Sequence, residues 1–218
     1  MARKASAGVA FCLILQVPAA AQEDVRVLAL GDSLTAGYGL PEAEGFVAQL
    51  NDWLDENGVP AEVVNAGVSG DTTAGGLARI DWTLTPEVDA VIVALGGNDL
   101  LRGIDPATTR ENLDAIMADL AGRGLPAMLI GIAAPGNYGP AYQQSFDGIY
   151  VDLSAEYDAI MEPHFLGPLV DEAGDEAAAR ARFMQPDGIH PNAAGVEIIV
   201  DAFGPRVAEL VERVGPGA

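Results

Sequence analysis

The chain has 218 residues, half of them apolar, and a formal net charge of −21. That length and apolar content fit one domain with a sizeable core and exclude a disordered polypeptide. Acidic residues number 32 against 11 lysines and arginines, which argues against nucleic acid and anionic membranes as partners and fits a salty or extracellular setting.

Residues 1–21 carry the pattern of a removable secretory signal peptide. Arg3 and Lys4 precede an uncharged, mostly apolar run from Ala5 to Val17, and Ala19-Ala20-Ala21 offers small residues for cleavage before Gln22. The run is too short to span a bilayer comfortably. The expectation is an exported protein, periplasmic or secreted, without stable membrane insertion, whose mature part (22–218) is a single domain. Cys12, the one cysteine, falls in this leader, so the mature chain would have neither a disulfide nor a cysteine nucleophile. Loss of Arg3 and Lys4 takes the mature charge to −23, and every basic residue that remains is an arginine.

From residue 25 onward, short β-branched runs alternate with amphipathic stretches. Val25 to Leu30 predicts a buried strand ending at Gly31. Phe46, Val47, Leu50 and Leu54 recur at helical spacing, with Gly58 as the stop. A second strand is expected over Ala61 to Asn65 and a short helix over Thr72 to Trp82. Ala90 to Leu95 is the clearest strand, followed at once by Gly96-Gly97-Asn98-Asp99. Asp105 caps a helix with Pro106 in its first turn, running to about Ala121. A strand over Ala127 to Ile132, a helix around Tyr142 to Leu153 and a weaker strand near Tyr157 to Met161 come next. A last helix runs from Pro191 or Asn192 to about Val214. Such alternation implies right-handed crossovers and a parallel sheet covered by helices on both faces.

Open sheets of this kind gather ligands beyond the carboxyl ends of their strands. Gly31-Asp32-Ser33, Gly67 to Gly70 and Gly96-Gly97-Asn98-Asp99 each follow a predicted strand, while Asp187 and His190 precede the last helix. A serine hydroxyl needs a base to act as a nucleophile. The chain holds only two histidines, and His190 has a carboxylate three residues before it, close enough to fix its tautomer and stabilise the imidazolium. The amides of Ser33 and Gly70 and the side chain of Asn98 suit an oxyanion. Each piece also has a plain structural alternative: a capping serine, a turn glycine, a capping Asn98, a loop hydrogen bond between Asp187 and His190. His164, between Pro163 and Phe165, has the setting of a partly buried structural histidine.

Four blocks carry a family likeness: Gly-Asp-Ser-Leu-Thr-Ala-Gly-Tyr-Gly (31–39), Asn-Ala-Gly-Val-Ser-Gly-Asp-Thr (65–72), Leu-Gly-Gly-Asn-Asp (95–99) and Asp-Gly-Ile-His-Pro-Asn (187–192). Together they resemble the signature blocks of the SGNH hydrolases, the GDSL esterase/lipase family. The likeness is nearest to the bacterial acyl thioesterase/lysophospholipase and arylesterase branch and extends over the whole mature chain. It implies a flavodoxin-like three-layer α/β/α sandwich with a five-stranded parallel sheet. It also implies Ser33 as nucleophile, His190 as base, Asp187 as its orienting acid, and Ser33, Gly70 and Asn98 as the oxyanion hole. Ala134 to Gly139 resembles the branch's mobile substrate loop, so Leu101, Asn137, Tyr138 and Ile189 are expected to contact substrate. The acidic, alanine-rich stretch Asp171 to Arg182 matches no family element.

The activity implied is hydrolysis of a small-molecule ester or thioester, namely short- to medium-chain acyl or aryl esters or lysophospholipids, with no cofactor or metal. No metal-ligand spacing occurs. The Gly-x-Ser-x-Gly elbow of other hydrolases, the P-loop lysine and the dinucleotide Gly-x-Gly-x-x-Gly are all missing from the Ser33 segment. Two further readings stay open: a carbohydrate acetylesterase on the same fold and a non-catalytic ligand-binding protein. Leu100, Leu101, Ile104, Pro140 and Tyr142 are expected to border the site and favour an acyl or aryl group over an acetylated glycan. Oligomeric state is not encoded in these patterns.

Overall fold

The computed structural model describes residues 24–215. The leader expected over 1–21, with Cys12, lies outside the described residues. Five parallel strands form one sheet: β1 (Val25–Gly31), β2 (Ala61–Gly67), β3 (Ala90–Ala94), β4 (Ala127–Ile130) and β5 (Ile160–Glu162), in the spatial order β2-β1-β3-β4-β5. The order reverses at β1 and β3, which makes the space beyond their carboxyl ends the topological switch point.

The central strands are apolar on both faces, as a sheet sandwiched between helices requires. Their side chains alternate: Val27 and Ala29 of β1 and Ile92 of β3 face one core, and Leu28, Leu30, Val91 and Val93 face the other. The first core is closed by helices α2 (Phe46–Glu56) and α9 (Ala193–Arg213), through Phe46, Leu50, Phe203 and Leu210. The second is closed by α3 (Thr73–Thr83), α5 (Pro106–Gly122) and α6 (Pro140–Glu156), through Ile80, Leu113, Ile116 and Phe146. The result is a three-layer α/β/α sandwich. α2 and α9 approach closely because Gly204 leaves its place to the Trp53 ring, which any β-carbon there would overlap.

Two short helices follow strand ends: α1 (Ser33–Ala36) after β1 and α4 (Gly97–Leu101) after β3. The predicted cap Asp105 accepts from the Ala107 amide, and Thr72 and Asn192, expected as helix starts, act as caps in the same way, accepting from Gly75 and Gly195. The final strand begins three residues later than its pattern predicts. Tyr157 closes α6, and Asp158 adopts a left-handed conformation (φ 51°) that breaks the helix before extended backbone can start at Ile160. The acidic, alanine-rich stretch Asp171 to Arg182 falls in the end of α7 (Gly167–Ala173) and in α8 (Glu176–Phe183), helices whose Leu169, Ala179 and Phe183 reach the α2/α9 core.

Candidate active site

The four polar blocks converge at the carboxyl edge of the sheet. Asp32 leaves β1 in a non-helical conformation and caps α1, its Oδ1 accepting from the Leu34 amide at 3.0 Å. This turn presents Ser33 at the helix start. The Ser33 Oγ stands 2.8 Å from Nε2 of His190, and the opposite ring nitrogen, Nδ1, stands 2.7 Å from Oδ2 of Asp187. The other oxygen of Asp187 accepts the backbone amides of Ile189 (2.9 Å) and His190 (3.1 Å), locking the Asp187–His190 turn. The hydrogen bond from His190, helped by these two amides, holds the Asp187 carboxyl down at about 2. Tyr38 covers one face of the imidazole at a centroid distance of 4.6 Å.

Asn98 comes from the first turn of α4, and its Nδ2 donates to Oδ2 of Asp32 at 3.2 Å. A primary amide has two hydrogens, so one remains to point into the cleft. Among the described residues, the backbone amides of Ser33 and Gly70 have no protein acceptor. Gly70 has φ +84°, a left-handed conformation suited to glycine, and its carbonyl is held by Arg102 at 2.7 Å. Three donors are therefore free on segments that line the same cleft as Ser33.

Buried charges hold these loops together. Arg79 on α3 donates from Nε to Asp71 at 2.8 Å and from Nη2 to the Gly31 carbonyl at 2.9 Å, tying the loop after β2 to the end of β1. Asp99, fully buried, accepts from the Thr73 amide at 2.8 Å and from the Thr73 hydroxyl, joining α4 to α3. Burial pushes the Asp32 carboxyl up to about 6, against the hydrogen bonds from Leu34 and Asn98. The motif pattern did not single out Arg79 or Asp71 for a role. A clue was present in the lone arginine on a predicted helix and an aspartate eight residues earlier, next to Gly70.

Ser33 and His190 open into a cleft of about 760 Å³, mostly apolar in its lining. Leu100, Leu101, Gly70, Asn98 and Ile189 line it, together with Leu166, Leu169, Val170 and Arg180 in and next to helices α7 and α8. Asn137 and Tyr138 stand outside this lining. The Tyr138 ring stacks on Tyr142 at 4.9 Å and its hydroxyl donates to the Leu100 carbonyl at 2.8 Å, so Tyr138 packs on α6, while Pro135 of the same loop lines the cleft. Ile104, Pro140 and Tyr142 are also outside, the Tyr142 hydroxyl donating to the Ile104 carbonyl at 2.9 Å. His164, expected as a structural histidine, is half-buried as anticipated but lines the cleft, and burial lowers its pKa. Among the described residues, no group of three or more histidine, cysteine, aspartate or glutamate side chains is placed to hold a metal ion. No described helix is long and apolar enough to cross a membrane.

Comparison with known proteins gives the family. Esterase TesA of Pseudomonas aeruginosa is 38% identical over 200 residues, covering 91% of this chain and 94% of its own length. The Escherichia coli protein called thioesterase 1/protease 1/lysophospholipase L1 is 37% identical over 205 residues, covering 93% and 92%. The crystal structure of AlinE4, described as an SGNH-hydrolase family esterase, is 46% identical with a TM-score of 0.69 over 86% of this chain and 96% of that one. The model of the GDSL-like lipase/acylhydrolase family matches residues 29–198, and with three free donors and a serine–histidine–aspartate chain at one sheet edge, this protein belongs to that family.

Proposed function

We propose that this chain hydrolyses carboxylic esters and thioesters by acyl transfer, with Ser33 as nucleophile, His190 as general base and Asp187 as the group that orients the imidazole and stabilises its protonated form. The observation that carries this reading is the unbroken chain from Ser33 Oγ through His190 to Asp187, at 2.8 and 2.7 Å. His190 takes the hydroxyl proton as Oγ bonds to the carbonyl carbon, and Asp187 stabilises the imidazolium. The Ser33 and Gly70 amides and the free Asn98 hydrogen bind the oxyanion. Collapse of the tetrahedral species expels the alkoxide or thiolate, which takes the proton from His190. Water then repeats the sequence on the acyl-enzyme, releasing the acid. No step calls for a metal or cofactor.

The substrates fitted best are short- to medium-chain acyl or aryl esters, with lysophospholipids among them. Leu34, Leu100, Leu166, Leu169 and Val170 give the cleft walls that shed water on binding an acyl chain. That lining disfavours an acetylated glycan, whose hydroxyls need polar partners. The three free donors and the imidazole aligned on Ser33 likewise disfavour a purely binding role. Residues 1–21 act as an export signal, leaving 22–218 as one soluble domain in the periplasm or the medium, as the charged start and small-residue end of that segment support.

The test is a series of p-nitrophenyl acetate, butyrate and octanoate with matched thioesters and acetylated xylan. The proposal expects turnover of the esters and thioesters, loss of it in Ser33→Ala with the fold retained, and little release from xylan. Xylan deacetylation as the dominant activity would favour the acetylesterase, and no turnover of any activated ester would favour a binding protein.

A further inference from the structure

The described chain contains nine arginines amid a large excess of carboxylates, so most guanidinium groups are claimed. Arg26, Arg79, Arg110, Arg123, Arg206 and Arg213 form ion pairs. Arg182 lies over the Phe183 ring at 4.5 Å, and Arg102 holds the Gly70 carbonyl. Among the described residues, Arg180 alone has no ion pair, no hydrogen-bond acceptor and no ring. It is also the arginine that lines the cleft.

Its placement is specific. The guanidinium lies across Gly188, where a β-carbon would overlap Nη2 and stand 2.7 Å from Cζ and Nε. Gly188 has φ +66°, so glycine serves both the left-handed backbone and the passage of the arginine. The turn it crosses is the one that connects Asp187 to His190. Glu176, one helical turn earlier on α8, lines the same cleft but is not within ion-pair distance of Arg180. An unclaimed planar fork of donors at this spot suits a carboxylate or phosphate. In a chain this acidic, it also supplies a local attraction against the general repulsion of anionic substrates.

We infer that Arg180 is a specificity-determining residue that binds an anionic group, carboxylate or phosphate, carried by the ester substrate a few atoms from the scissile carbonyl. This rests on the ester-hydrolase reading above. The anion belongs either to the acyl half, as in a half-ester of a dicarboxylic acid, or to the leaving group, as in an acylated glycerol phosphate. In both cases the guanidinium holds the charged end while the ester carbon meets Ser33, and the bonds broken and made are those of ordinary ester hydrolysis.

Two substrate pairs test this. Monomethyl glutarate against dimethyl glutarate places the charge on the acyl side; 1-butyrylglycerol 3-phosphate against 1-butyrylglycerol places it on the leaving side. The quantity read is the ratio of kcat/KM for the anionic member over the neutral one. In Arg180→Gln the ratio falls about tenfold in at least one pair, equivalent to about 1.4 kcal/mol, and Arg180→Lys recovers most of it. The pair that responds identifies the side bearing the charge. Thermal melting of both variants verifies the fold, and the ratio itself is insensitive to a loss of folded enzyme. An unchanged ratio in both pairs overturns the assignment of Arg180. Wild-type protein that cleaves p-nitrophenyl butyrate but none of the four substrates overturns it as well, and leaves the ester-hydrolase reading standing. Absence of turnover on all five overturns both.

Discussion

Arg79 and Asp71 form an ion pair at 2.8 Å that is almost wholly shielded from water, with side chains 9% and 14% exposed. The same guanidinium holds the Gly31 carbonyl, so one charged group fixes the spacing between the Ser33 turn and the loop carrying Gly70. Removing one partner of such a pair strands the other without compensation. Asp71→Ala is expected to cost about 3 kcal/mol and to lower Tm by about 6–12 °C for a domain of this size. At a temperature where the variant stays folded, kcat falls more than KM rises, because the amides of two loops lose their mutual placement. Calorimetry with steady-state kinetics on one preparation reads both effects.

Asn98 donates one hydrogen to Asp32 and leaves the other without that partner. On the proposed mechanism, Asn98→Ala removes a donor that acts mainly on the developing oxyanion. Turnover should drop about 10²–10³-fold with KM little altered, as measured on p-nitrophenyl butyrate.

Burial raises the Asp32 carboxyl from its ordinary 3.8 to about 6. A group with a raised folded-state pKa contributes stability that is complete below its unfolded value and lost as pH rises through the folded one. Between pH 7 and pH 4 the wild type should gain about 2–3 kcal/mol relative to Asp32→Asn. Asp187 acts in the opposite sense and lower: its contribution is present above 3.8 and lost as pH falls through about 2. Urea unfolding of both proteins across this range isolates the Asp32 term, and parallel pH profiles would refute it.

Gly204 abuts the Trp53 ring where α2 and α9 meet. Gly204→Ala forces an extra carbon against that ring, an overpacking that costs about 1–3 kcal/mol. The Trp53 indole must shift, so its fluorescence changes along with Tm while esterase kinetics, set at the far edge of the sheet, stay close to wild type.

How far the sequence led depended on the range of the interaction. Strands such as Ala90–Ala94 were legible because a fully buried strand needs an unbroken β-branched run, and the cap Asp105 because its chemistry is local. Ser33 and Asn98 were legible as residue types suited to one reaction placed at strand ends, and His190 by the carboxylate three residues before it. The packing of Tyr138 on Tyr142 was not, since it depends on where α6 stands in space. The Arg79–Asp71 pair and the crossing of Arg180 over Gly188 joined segments whose approach no spacing encodes, and the α7–α8 wall had no periodic signal strong enough to distinguish it from an acidic loop.

The most direct measurement is the site of covalent capture by a fluorophosphonate, which reacts as an acyl substrate and stops at the first adduct. After proteolysis and mass spectrometry, the added mass should lie on Ser33 alone, and His190→Ala should slow its appearance severalfold or more. An adduct on another serine in active enzyme, or full esterase activity in Ser33→Ala, would contradict the account.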